Sequence, residues 1–499
     1  MAKSKKVVKE EAPAPVIKGS VKALPHDVAE LPRKGTIKRY IITCAQNNTP
    51  LFDAAWDSLK TLASYYEASI LISRFVYEHT ASQQKASKPG SRDTSKEPWY
   101  DPRIEEYVAD RRILLAPGLM FCGELNILPT AVRPLSGLES YTGRASSIIP
   151  HVKIAMESVA SGKSEATKLM YTTGTVTQRN YIQRKAGQKA QFHHGYGALL
   201  VEVNHEGSWW CRQLNSDSDG VIYDLNVMVD GLTLAEGVRA EAVSWGDVHV
   251  AQIDAANSKA CWGVGGIFET LRPKHQFFHD ILDFRSRNHH DRGNAHKSFE
   301  RFVNGTGNVL RELIAVEQFL QDNDRKWCCT VVVDSNHDDA MEKWLVETDF
   351  RQDPENAIFY LEAQLAKYKA IEQRDKNFHL FEWSQHKLGL PRGIKFLRPD
   401  ESFVICHDAN GGIECGMHGH NGPNGRRGSP IAFARMGRKA VGGHAHSAGI
   451  WDGYYQAGTS SKLDLGYNVG PSSWTHSHVV TYPNGKRAIL TVWKGKPWA

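Results

Sequence analysis

Apolar residues fall along this chain in short runs separated by polar clusters, and the runs show two different periods. Ile37-Lys38-Arg39-Tyr40-Ile41-Ile42-Thr43-Cys44 and Ser69-Ile70-Leu71-Ile72-Ser73 are short and β-branched, which predicts strands. Between them Leu51, Phe52, Ala55, Leu59, Leu62 and Tyr66 recur at helical spacing. Strand, helix, strand predicts a βαβ unit with a parallel pair. Residues 80–103 are rich in Ser, Lys and Pro and predict a long loop. Short strands are expected at 112–115, 120–122, 170–178 and 198–203, and a meander at 208–214 and 220–229.

The second half alternates strands (240–244, 331–333, 403–406, 439–442, 488–493) with helices expected around 299–320 and 356–372. This alternation predicts an α/β fold, a layered sandwich flanked by helices. Three segments are expected: a basic arm over 1–35 with too little apolar content to fold, a smaller α/β domain over 36–235, and a larger domain over 236–499.

Composition narrows the class. The chain has 499 residues, 41% hydrophobic and 23% charged, as in soluble globular proteins. No apolar run approaches the roughly 18 residues that cross a bilayer, and the basic start is followed by no apolar signal region. Eight scattered cysteines form no CxxC pair, so a reduced, cytoplasmic setting is expected. A net charge of +6 is compatible with nucleic acid without requiring it. No GxxxxGK[ST] loop is present, and Gly263-Val264-Gly265-Gly266 reads as a turn.

The chemistry gathers in five polar strings of the second half. They are Asp247-Val248-His249, His279-Asp280-Ile281-Leu282-Asp283, Asn336-His337-Asp338, His418-Gly419-His420 and His444-Ala445-His446. Carboxylate, amide and imidazole donors without thiols suit Mn, Fe or Zn. Three strings directly follow predicted strands, where open α/β sheets collect their chemistry. An isolated HxH among 22 histidines is more often coincidence than a ligand pair, and His289-His290 and His193-His194 read as such cases. The order and setting of the five strings argue otherwise.

The series DxH, D, NHD, H, GHxH over residues 240–450 resembles the calcineurin-like metallophosphoesterase superfamily. The resemblance implies two divalent ions, Mn²⁺ first and Mg²⁺, Fe²⁺ or Zn²⁺ as alternatives. Asp247, His249, Asp280 and His446 would hold one ion. Asp280, Asn336, His418 and His444 would hold the other, with Asp280 bridging. His337 would be the catalytic histidine, oriented by Asp338. Two departures touch the turns: His279 and Ser335 stand where the superfamily usually has glycine. For the fourth string, His407 and His420 compete with His418.

The implied reaction is metal-assisted phosphoester hydrolysis. Two basic loops, one with Arg285 and Arg287 and one with Arg426 and Arg427, suit a phosphodiester backbone as substrate-binding groups. The whole chain is also similar to host-DNA-degrading pre-early proteins of tailed phages, which implies a deoxyribonuclease with DNA as substrate in the host cytoplasm. A phosphatase or nucleotide phosphodiesterase is the alternative within the superfamily, and a non-catalytic scaffold with a retained metal site is the alternative outside it. No membrane partner is expected, and a homo-oligomer is left open.

Overall fold

The computed structural model describes residues 25–77, 98–288, 291, 293–408 and 411–499. Most of the expected basic arm, most of the 80–103 loop, and His289-His290 lie outside the described residues. The last part of the arm is ordered: Asp27–Val28 pairs in parallel with Ile113 and Leu114 as an edge strand.

The chain is α/β, as expected, with four sheets among the described residues. The sheet that positions the chemistry has six strands. In spatial order they are Lys395–Phe396, Cys329–Val332, His275–Phe278, Ala242–Ser244, Ser477–Thr481 and Arg487–Thr491. The first four run parallel, and the last two form an antiparallel hairpin on the Ala242–Ser244 edge. Alternate residues of a strand face opposite ways. Val243, Phe278, Val332, Val480 and Leu490 therefore pack against the helices. Ala242, Phe277, Val331, Val479 and Ile489 pack into a second core shared with the neighbouring sheets. The sheet thus lies between a helical layer and a β layer.

That β layer is built from an eleven-stranded sheet and a four-stranded one. The eleven-stranded sheet takes strands from both sides of residue 235, joining Met156–Val159 to Gly449–Trp451. The early βαβ unit is present: Ile37–Gln46 and Ser69–Phe75 pair in parallel across the Asp53–Tyr65 helix.

The single helix expected over 299–320 is two, Ala295–Asn304 and Val309–Asn323. Gly305 ends the first in the left-handed conformation at φ 61°, and the Asn308 side chain caps the second by accepting from Arg311 N. Asn336 is the first residue of the Asn336–Glu347 helix. No helix among the described residues is long and apolar enough to cross a membrane.

Candidate metal centre

Three parallel neighbours of the six-stranded sheet deliver the first three strings. Asp247 and His249 follow Ala242–Ser244, Asp280 and Asp283 follow His275–Phe278, and Asn336 and His337 follow Cys329–Val332. The loops are stitched to each other by backbone bonds, His249 N to Asp280 O at 2.8 Å and Val248 N to His279 O at 2.9 Å. The facing β layer supplies the other side. His418 lies beyond Ile413–Glu414, and His444 and His446 follow Lys439–Gly442. Gly443 N donates to His418 O at 2.8 Å, tying these two loops together.

The side chains converge in two groups that share Asp280, with a third, His249, Asp283 and His337, adjoining the first. Asp247, His249, Asp280 and His446 present donor atoms all within 4.8 Å of one another, and so do Asp280, His418 and His444. Asp280 belongs to both. In the first group His446 Nε2 lies 3.1 Å from Asp247 Oδ2 and 3.1 Å from His249 Nε2. In the second, His418 Nε2 is 3.1 Å from Asp280 Oδ2 and 3.2 Å from Asn336 Oδ1. Of the three histidines competing for the fourth string, His418 is buried among these donors. His420 sits one ring further out, 5.4 Å from His418, and accepts from Asn421 Nδ2. His407 is exposed and belongs to neither group.

These residues could hold a metal ion. Asp247 Oδ1 and Asp280 Oδ1 are buried without a hydrogen-bond partner, an arrangement that costs several kcal/mol unless something positive meets them. The donors are carboxylate, imidazole and amide oxygen, which suits Mn²⁺, Fe²⁺ or Zn²⁺. His249, Asp280, His444 and His446 all hold positive φ, at 45°, 43°, 75° and 57°. Such strain costs of order 1–3 kcal/mol per residue and collects at functional sites. Gly443 completes the cradle, because a Cβ there would stand 2.2 Å from Asp247 Oδ1.

The electrostatics differ among these residues: against burial, carboxylate neighbours raise His249 and His418, so a metal would have to displace their protons, whereas the carboxylates are ionised. Burial pushes the Asp247 carboxyl up, but His446 and His418 hold it down at about 2. Asp280 is also held well below the usual carboxylate range, with His418 and His337 overcoming burial. Burial lowers His444 to about 4, helped by the His418 charge, so its imidazole is neutral and able to ligate. Burial opposes a charge on His249, but Asp283 and then Asp280 raise it to about 9.

Asp283 has no role in the sequence reading, although it lies in the second string. Its Oδ1 takes the His249 Nδ1 contact at 3.2 Å, which directs Nε2 inward. Its backbone carbonyl accepts from His337 Nδ1 at 2.7 Å and so orients that ring. The expected orienting group, Asp338, does something else. Its Oδ2 accepts from Ser335 N at 3.1 Å and caps the Asn336–Glu347 helix. Burial, with Asp334 and Asp280 nearby, raises its carboxyl well above the usual range. That carboxyl is engaged as a helix cap.

The arginines differ among themselves. Arg287 is held in a fork on Asp353, at 2.6 and 2.5 Å, and donates to Gly307 O, so its donors are spent inside the fold. Arg285 is exposed, and its charge acts on Asp283. Arg426 and Arg427 are exposed on a loop closed by Gly428 N donating to His420 O at 2.9 Å. Two aromatic residues at the rim carried no sequence signal. Trp474 packs edge-on against His446 at 4.2 Å, and Tyr467, two-thirds exposed, packs on Trp474 at 5.8 Å.

Among proteins of known sequence, this chain is similar to Protein A1 of Escherichia phage T5. The two are 39% identical over 475 residues, covering 93% of this chain and 83% of the phage protein. The chain belongs to the Protein A1 family. No family model matches the chain, and no solved structure matches it.

Proposed function

We propose that this Protein A1 family member is a two-metal phosphodiester hydrolase of the calcineurin-like metallophosphoesterase type, and that its substrate is DNA. The observation that carries the reading is the pair of ligand groups sharing Asp280, with its order of donors along the chain. Asp247, His249, Asp280 and His446 would hold one ion, and Asp280, Asn336, His418 and His444 the other, with Mn²⁺ the expected metal. When bound, the ions would supply Lewis acidity toward the phosphoryl oxygens and lower the pKa of water.

The chain's own residues do the rest. His337 is half-buried beside His249 of the first group, its ring 4.9 Å from the His249 ring and its Nε2 4.0 Å from Asp280 Oδ2. Its Nδ1–H donates to the Asp283 carbonyl at 2.7 Å. Its Nε2 faces the centre and would pass a proton to the leaving oxygen, a general-acid role worth about 10²–10⁴-fold. Arg285, Arg426 and Arg427 serve as backbone-phosphate contacts, which give affinity without sequence preference. The basic loops near the centre support DNA over a small phosphomonoester as substrate, and the likeness to a phage protein is consistent with a reaction in the host cell.

The test is incubation of the purified protein with plasmid DNA, linear DNA and p-nitrophenyl phosphate, each with Mn²⁺, Mg²⁺ or EDTA. Mn²⁺-dependent DNA cleavage that EDTA stops and added salt weakens is expected. Brisk hydrolysis of p-nitrophenyl phosphate with all DNA left intact would replace this reading with a phosphatase.

A further inference from the structure

The Ala357–Glu372 helix is apolar on two sides. Phe359, Tyr360, Ala363 and Ala370 face the core. On the opposite side Ile358, Leu361, Leu365 and Tyr368 are exposed at 79%, 48%, 56% and 65%. Their spacing of three, four and three residues is that of the a and d positions of a heptad, the seam of a two-helix coiled coil. Ile371, at 61%, and Val346 of the neighbouring helix, at 83%, extend the patch to one flank. A helix that is apolar all round is normally buried all round. Here half of it is not.

We propose that this outer face is the interface between two copies of the chain, packed antiparallel across a two-fold axis near Leu365. Area and charge both point to a second copy. The six side chains leave on the order of 800 Å² accessible, the share each partner brings to a standard stable interface. A two-fold interface must be self-complementary, and this seam is. Glu362 and Lys369 occupy the same flanking position in successive heptads, two turns apart. Antiparallel pairing sets Glu362 of each copy near Lys369 of the other, twice. Parallel pairing would set them against Ala357 and Gln364 instead. Glu362 does contact Lys387 at 3.3 Å within its own chain, but both side chains are more than a third exposed, and such a surface pair exchanges partners at little cost.

Sedimentation velocity of the full chain over a wide concentration range tests this. A dimer is expected, and Leu365→Glu, which sets two like charges at the axis, is expected to give a monomer with unchanged circular dichroism and Mn²⁺ content. Glu362→Lys is expected to weaken association about tenfold, and Glu362→Lys with Lys369→Glu to restore it. A wild-type chain that stays monomeric overturns the proposal and leaves the face to a different protein. An assembly whose mass Leu365→Glu does not change overturns it as well, and a double charge reversal that restores nothing refutes the antiparallel arrangement.

Discussion

Replacing Gly443 by alanine adds one methyl group at the tightest point of the metal centre. The new Cβ would stand 2.2 Å from Asp247 Oδ1 and 3.2 Å from Cβ and Cγ of His279. Ordinary contact needs roughly 3.4 Å or more, so something must move by about 1 Å. Neither side yields easily: Gly443 N is bonded to His418 O at 2.8 Å, and Asp247 N to Gly458 O at 3.1 Å. Gly443 is not among the positive-φ glycines, so the change carries no left-handed backbone penalty and acts by overlap alone. Overpacking of this kind costs about 1–3 kcal/mol of stability. A ligand displaced by about 1 Å costs about 10²-fold in rate, or roughly 2.7 kcal/mol of transition-state stabilisation. The assay is Mn²⁺-dependent plasmid cleavage, with metal content and thermal midpoint measured on the same samples. Gly393→Ala is the control, since nothing lies within 4 Å of its added Cβ. If Gly443→Ala matches the wild type in rate, metal content and midpoint, the packing of Asp247 against the His444 turn does not constrain the centre.

Three further outcomes are expected. His337→Ala should keep metal and DNA binding and lose about 10²-fold in rate, whereas Asp338→Ala should cost about 1 kcal/mol of stability by unmaking a helix cap and leave the rate unchanged; the reverse pattern would return the orienting role to Asp338. Asp283→Asn should weaken Mn²⁺ binding about 10–100-fold, measured by calorimetric titration, with excess Mn²⁺ restoring much of the activity; unchanged affinity would remove Asp283 from the support of His249. Acid should unfold the protein early, because burial lowers His151 to about 4 and His194 and His478 to about 3. In His151 and His478 the Nδ1 atom accepts a backbone N–H, from Lys153 and Gly246, and His194 is enclosed between Tyr181 Oη and the Thr177 carbonyl. Folded-state values below the unfolded one mean that stability is complete above about pH 6.5 and falls as pH drops toward 4, at about 1.4 kcal/mol per pH unit for each histidine. His249, raised to about 9, works in the other direction and only above pH 6.5, so it does not mask the trend. A urea midpoint that is flat between pH 6.5 and 4.5 would refute it.

The sequence by itself determined what local rules can reach. β-branched runs mark Ile37–Gln46 and Ser69–Phe75 as strands, helical spacing marks Asp53–Tyr65, and ligand-type residues at strand ends mark Asp247, Asp280 and Asn336 as candidates for one centre. Strand ends are readable because a strand that stops at a polar cluster must expose that cluster. The choice among His407, His418 and His420 needed the fold, because all three lie in short irregular stretches where only the path of the chain decides which imidazole turns inward. For Asp338 the sequence does not separate helix cap from partner of His337, because a carboxylate two residues from Asn336 serves either part; the capping bond to Ser335 N is visible only in the structure. Asp283 was passed over because its part is played by one carboxylate oxygen and one backbone carbonyl aimed at two different histidines, a relation between loops that no linear spacing encodes. The eleven-stranded sheet was hidden for the same reason, since pairing Met156 with Ile450 joins residues nearly 300 positions apart, and that is settled by packing.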